Sequence, residues 1–411
     1  MTSTTIGAAP ARAADARIIA LVGAAHFVSH VYILILPPLF AFLRAEFEVS
    51  YTELGAVIAL FNILSAVLQT PAGYLVDRTS ARTVLVGGLA LGAVSLVGAA
   101  LAPTFLIFTL MFALLGVANT AYHPADYALL SSRISAARTG QAFSIHIFAG
   151  FAGTAVTPAA MLILAAWFGW RGAFLAGALL GLAVALAIVL FGAALGGREA
   201  AHAKAAAGGD AAAPAGGNIL LTLPVILNLL FFMLIAGVSV GTQNYLIVAL
   251  QSLWNTPLAE AATALTVYLS LSALAVLAGG ILAARTARHD LVAVIGLAVS
   301  GAALLPVAFI DVGMALLIGL MAVSGFFNGL IQPSRDMIVK AVTPPGAFGR
   351  VFGFVTTGFN IGGILAPPAF GFLMDHNAPH IVILVTALFS LIAIPTVMIT
   401  VARGRPAAEQ A

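Results

Sequence analysis

Eight residues between Gly116 and Leu164 return at one fixed offset. Gly116, Asn119, Pro124, Gly140, Phe143, Gly153, Pro158 and Leu164 recur as Gly325, Asn328, Pro333, Gly349, Phe352, Gly362, Pro367 and Leu373. Each pair is 209 apart (328 − 119 = 209; 367 − 158 = 209). One offset held without a gap by so mixed a set of residue types means that the chain is two copies of one unit. At one pair of equivalent positions the copies differ in sign, with Asp126 in the first and Arg335 in the second. Internal duplication with polar residues at the same depth in both copies is an arrangement found in membrane carriers.

Composition puts those copies in a bilayer. Hydrophobic residues make up 62% of the chain and charged residues only 8%, against roughly 25% charged in a soluble domain. Hydropathy predicts twelve spans, at 18–43, 51–76, 83–102, 105–131, 140–166, 170–195, 219–249, 259–284, 291–310, 312–341, 349–373 and 381–402. Each is long enough to cross ~30 Å of hydrocarbon. The first is too long for the core of a signal peptide and reads as a retained span. Residues 196–218 form the one long connection. Its Ala- and Gly-rich stretch at 207–217 reads as a flexible linker. The expected domains are therefore a six-helix half at 1–195, a cytoplasmic linker at 196–218 and a second six-helix half at 219–411, all-α throughout.

Charge orients the spans. Arg12, Arg17, Arg78, Arg82, Arg133, Arg138, Arg198, Lys204, Arg285, Arg288, Lys340, Arg350, Arg403 and Arg405 lie at the termini and the even-to-odd connections, and only Arg44 and Arg171 at the others. Loops rich in Lys and Arg stay in the cytoplasm. Both termini are expected there, in a multi-pass protein of the cell inner membrane.

The loop between the second and third spans reads Gly73-Tyr74-Leu75-Val76-Asp77-Arg78-Thr79-Ser80-Ala81-Arg82. It resembles the loop signature of the major facilitator superfamily. Gly280 to Arg288 is a degraded second copy in which Ala284 replaces the acid. Within that superfamily the first half is most similar to the fosmidomycin-resistance branch, on Ser29-His30, Leu36-Pro37-Pro38-Leu39, Glu46-Phe47, Gln69-Thr70-Pro71-Ala72-Gly73, His123-Pro124 and Gly140-Gln141-Ala142-Phe143-Ser144. One departure is that Ala125 follows His123-Pro124, and the acid, Asp126, comes one residue later. The resemblance implies two rocking halves, a loop that braces them on the cytoplasmic face, and a central cavity lined by spans one, four, seven and ten.

Ionisable groups inside spans are costly, about 2.5–3.5 kcal/mol each for Arg or Asp at a helix centre. Here they are His26 and His30, His123 and Asp126, His146, and Arg335 and Asp336. His26 and His30 share a helix face, as do His123 and Asp126. Asp336 is adjacent to Arg335, so the two are expected to point in different directions. A lone buried His has a plain alternative role, a hydrogen bond to a neighbouring helix. Asp126 and Arg335 have theirs too, a fixed ion pair between the halves. Glycines and prolines such as Gly153, Pro158, Gly362 and Pro367 read as packing and bending positions.

The expected substrate contacts are Arg335, Asp126, His123, Tyr127, His30, Gln243, Asn244 and Gln332, with proton coupling at Asp126, Asp336, His123 and His30. Gly73, Asp77, Arg78 and Arg82 carry the loop signature. No metal and no other cofactor is expected. With no cysteine in the chain, disulfides and thiolate metal sites are excluded. Phosphate-loop and His-Glu-x-x-His motifs are absent from the sequence, and a net charge of +3 suggests no nucleic acid. The reading is a monomeric secondary transporter in the lipid bilayer that exports a small organic molecule against protons. Uptake of a small organic anion with protons is the alternative, and an intramembrane enzyme built on His123 and Asp126 is a remote one.

Overall fold

The computed structural model describes residues 8–135, 138–195, 219–344 and 347–404; the 196–218 linker lies outside the described residues. Every regular element among the described residues is a helix. In hydrocarbon only a helix or a closed barrel satisfies its own backbone. The helices are α1 (Ala8–Leu34), α2 (Phe40–Phe47), α3 (Tyr51–Arg78), α4 (Ala81–Ala100), α5 (Phe105–Asn119), α6 (Tyr122–Arg133) and α7 (Thr139–Phe191), then α8 (Leu223–Val240), α9 (Leu246–Trp254), α10 (Leu258–Arg285), α11 (His289–Phe309), α12 (Gly313–Ala341), α13 (Phe348–Asp375) and α14 (Pro379–Gly404).

Eleven helical segments among the described residues are long and apolar enough to span a membrane. One of them contains α7, whose 53 residues would extend about 80 Å if straight. It is two spans. Gly169 breaks it with φ 71° and ψ 169°, a conformation open essentially to glycine alone. The break falls in the 167–169 gap left by hydropathy, and counting α7 twice gives the expected twelve.

Proline breaks the fourth span. At Pro124 the missing N–H and the ring act against the carbonyl four residues back, which is that of Thr120. There α5 gives way to α6, and the N–H groups of Thr120 and Ala121 turn to the carbonyls of Val117 and Ala118 three residues back. The restart sets His123 and Asp126 on the first turns of α6.

The chain divides into two compact units, one of residues 1–39 and 60–210, the other of 40–59 and 211–411. In the first, α7 packs on α1 and on α4; in the second, α13 packs on α8, α14 on α11 and α10 on α12. The repeat is visible in these contacts. A Cβ on Gly116 would meet the Phe61 backbone, and one on Gly325, its repeat mate, the Tyr268 backbone. A Cβ on Gly153 would meet the Phe27 carbonyl, and one on Gly362 the Met233 carbonyl. Small residues here let helix backbones touch.

Within the second unit, the start of α3 is capped twice. Ser50 and Glu53 form a capping box, with Ser50 N donating to Glu53 Oε2 at 2.7 Å and Glu53 N to Ser50 Oγ at 3.1 Å. Asp375, at the end of α13, accepts from Tyr51 N and Thr52 N at 2.8 Å each and from the Thr52 hydroxyl.

Candidate functional site

Two groups of intramembrane polar residues stand out, one in each unit. In the first unit α1 supplies His26 and His30, α6 supplies His123 and Asp126, and α7 supplies His146. Asp126 is fully buried. Its Oδ2 lies 3.6 Å from His26 Nδ1 and 3.9 Å from His146 Nδ1, beyond good hydrogen-bond length. The His26 and His146 rings stack with centroids 3.7 Å apart. His30 and His123 meet the His26 ring edge to face, at 4.7 and 5.4 Å. His30 Nδ1 is hydrogen-bonded to the Thr154 hydroxyl at 2.8 Å. Gly150 makes the cluster possible. A Cβ there would come within 2.6 Å of His26 Nε2 and 2.8 Å of His30 Nε2. Tyr127 stacks on His123 at 5.9 Å and also faces Phe143 and His146.

In the second unit the group centres on Arg335. Its Nε and Nη2 both approach Asp336 Oδ1 at 2.9 Å, and its Nη1 donates to Gln332 Oε1 at 2.5 Å. The guanidinium lies 4.5 Å from the Phe232 ring centroid and 5.2 Å from that of Phe359, within the range of cation–π attraction. Asp336 therefore does not point away from Arg335, as its place on the helix suggests. The Arg side chain is long enough to fold back onto its neighbour's carboxylate. The Arg335 side chain is only 12% exposed and that of Asp336 45%.

The two groups occupy one frame. His123 and Gln332 are repeat mates, as are Gly150 and Phe359 (332 − 123 = 209; 359 − 150 = 209). His26 precedes Phe27 and Phe232 precedes Met233, the two carbonyls that face Gly153 and Gly362. An acid among imidazoles in one copy thus answers to a base between phenyl rings in the other. Gln243 and Asn244 lie on a π-helical turn, Gly241–Tyr245, between α8 and α9, a distortion often found at functional sites. Both are half-buried.

Comparison with known proteins places this frame. The family model of the Major Facilitator Superfamily matches residues 22–250 and 229–411. The chain belongs to the Major Facilitator Superfamily. It is 33% identical over 133 residues to the uncharacterized MFS-type transporter YwoD of Bacillus subtilis strain 168, a match that covers 32% of this chain and 29% of that one. It is 25% identical over 152 residues to the fosmidomycin resistance protein of Escherichia coli K12, covering 37% of each. The matches thus span only about a third of the length of these curated relatives. Among solved structures, a bacterial homologue of the human lysosomal transporter Spinster, in an inward-facing and occupied conformation, has the same fold. The TM-score is 0.79 at 13% identity, over 97% of this chain and 99% of that one. This superfamily member is a multi-pass membrane protein.

Of its loop signature, Gly73 is half-buried on α3 with open space where a Cβ would lie, and Asp77 and Arg78 are exposed at the end of that helix. Arg82 has a structural task within its own unit. Its Nη2 donates to the carbonyls of Ile188 and Val189 at 3.2 and 2.8 Å, at the C-terminal end of α7, where a cation is favoured.

Proposed function

We propose that this protein is a secondary transporter of the cell inner membrane that exports a small organic molecule in exchange for protons. Residues 1–195 would rock against 219–411, with both termini and the 196–218 linker cytoplasmic and Asp77 and Arg78 bracing one state. One observation carries the reading: an intramembrane guanidinium held between two phenyl faces and answered by the adjacent, half-exposed Asp336. The rings and Gln332 fix the plane of the guanidinium, leaving its charge to be satisfied by whichever acceptor is present. A substrate carboxylate, phosphate or carbonyl can take the place of Asp336. Exchange requires substrate and proton to occupy the site in turn; protonation of Asp336 that freed Arg335 for an anion would instead load both together, the coupling of the second reading below. Outward direction rests on the likeness to the fosmidomycin resistance protein. The positive charge of Arg335 supports a second reading, uptake of an organic anion together with protons.

The test uses proteoliposomes preloaded with members of a panel of antibiotics and organic acids, with a pH-sensitive dye in the lumen. As substrate leaves, exchange brings protons in and the lumen acidifies, whereas co-transport alkalinises it. Arg335→Ala should abolish substrate movement, and Asp336→Asn should retain it without the pH change. Wild-type rates in Arg335→Ala, or substrate efflux from wild-type vesicles with no change in lumen pH, would overturn the reading.

A further inference from the structure

We propose that His26, His123, His146 and Asp126 form a binding site for a divalent first-row transition-metal ion of the Zn²⁺ and Co²⁺ class. The site uses none of the Arg335 group and stands independently of the transport reading. Three helices converge on it. One ligand-capable nitrogen from each of His26, His123 and His146 lies within 4.8 Å of the others. The His26 and His146 rings stack, and both Nδ1 atoms lie near one carboxylate oxygen of Asp126, at 3.6 and 3.9 Å.

Those separations are long for a hydrogen bond, which is made at about 2.7–3.2 Å. They match the spacing of donors around one ion, but stacked imidazoles aim their in-plane lone pairs along nearly parallel lines, so one of the two rings must turn about its Cβ–Cγ bond to share an ion with the other. Metal–nitrogen and metal–oxygen bonds of about 2.0–2.2 Å set neighbouring donors roughly 3.3–3.6 Å apart. His123, on the first turn of α6, supplies the third nitrogen of the set.

The second observation is the state of these atoms. His26 Nδ1, His123 Nδ1, both ring nitrogens of His146 and both carboxylate oxygens of Asp126 are buried without a hydrogen-bond partner among the described residues. A buried polar atom left unanswered costs about 1–3 kcal/mol. One cation among them answers four at once. Three imidazole nitrogens and one carboxylate oxygen suit a borderline ion such as Zn²⁺, Co²⁺ or Ni²⁺, whereas Mg²⁺ and Ca²⁺ seek oxygen alone. The His30–Thr154 hydrogen bond, with the His30 ring against His26, is an outer contact that orients a ligand ring.

The experiment uses full-length protein purified in detergent through a tag free of histidine. Co²⁺ is titrated while visible absorption is followed, and Zn²⁺ by calorimetry and thermal unfolding. Wild type should bind about one ion per chain with the intense visible bands of four-coordinate Co²⁺ and should be stabilised by Zn²⁺, and millimolar Mg²⁺ should not displace the ion. His26→Ala, His146→Ala and Asp126→Asn should each weaken binding by more than about tenfold, since even outer-shell changes reach that size. His376→Ala, on an exposed residue elsewhere, should not. Where an alanine variant is not monodisperse, His146→Gln, which keeps the bulk, is read by the same criteria. Wild type that gives neither Co²⁺ bands nor Zn²⁺ stabilisation overturns the proposal. So does undiminished binding in the His26 and His146 variants, which would mark an adventitious ion only.

Discussion

Alanine in place of Gly116 should separate α5 from α3. The added Cβ would lie 2.6 Å from the Phe61 carbonyl oxygen and 2.9 Å from its Cα, where ordinary contact begins at 3.4 Å. The obstacle is backbone and cannot rotate away, so the helices must part by about 0.8 Å (3.4 − 2.6 = 0.8). Overpacking of this kind costs about 1–3 kcal/mol. The same shift stretches the hydrogen bond from Ser65 Oγ to the Gly116 carbonyl, now 3.0 Å, past any useful length and removes about 0.5–1.5 kcal/mol more. Together these losses come to about 1.5–4.5 kcal/mol, which for a chain of 411 residues is a fall in melting temperature of about 2–5 °C. The assay is thermal unfolding in detergent followed by intrinsic fluorescence. Gly319→Ala is the control, because no atom lies within 4 Å of its would-be Cβ. It should melt with wild type or above it, since Ala favours a helix over Gly by about 0.8–1 kcal/mol. Equal melting of Gly116→Ala and wild type, or an equal loss in Gly319→Ala, would refute the argument from helix contact.

Three further outcomes are expected. Gly169→Ala forces an L residue into φ 71° and ψ 169° and should lower stability by about 1–3 kcal/mol, measured by the same melt; unchanged melting would mean that the break does not need glycine. Arg82→Gln removes the two carbonyl contacts at the end of α7 and should cost about 1–3 kcal/mol, with Arg82→Lys recovering part of it. Cysteines introduced singly at Ala206 and Asn377 should react with an impermeant reagent from opposite sides of the membrane, as the charge asymmetry of the loops requires; labelling of both from one side would contradict the twelve-span topology.

The frame of this protein was legible because it is written in long patterns. Apolar runs give the spans, the offset of 209 gives the duplication, and the helix break at Gly169 falls where hydropathy leaves a gap. The interior of each polar group was not legible in the same way. His26 and His146 are 120 residues apart (146 − 26 = 120), and nothing in their spacing says that their rings stack. Gly150 could be read as a packing position, but not as the space into which two imidazoles point. The Arg335–Asp336 pair was misread because helix position gives the direction of Cβ, and four further side-chain bonds of Arg can reverse it. Asp375 reaches the start of α3 across 323 residues (375 − 52 = 323), a distance at which local sequence rules carry no information.

That cap at α3 has a kinetic consequence. Ser50 and Glu53 travel together, so their half of the cap survives any motion of the helix. The Tyr51 and Thr52 amides are held by a carboxylate that belongs to α13, and they become orphans the moment α13 withdraws. Neither lipid nor apolar side chains can receive them. The end of α3 can leave Asp375 only as water takes up the two amides that the carboxylate held, so solvent contact at Tyr51 N and Thr52 N marks its release. Amide hydrogen exchange at Tyr51 and Thr52 would then count the openings one by one, while Glu53, guarded by Ser50, keeps its proton longer.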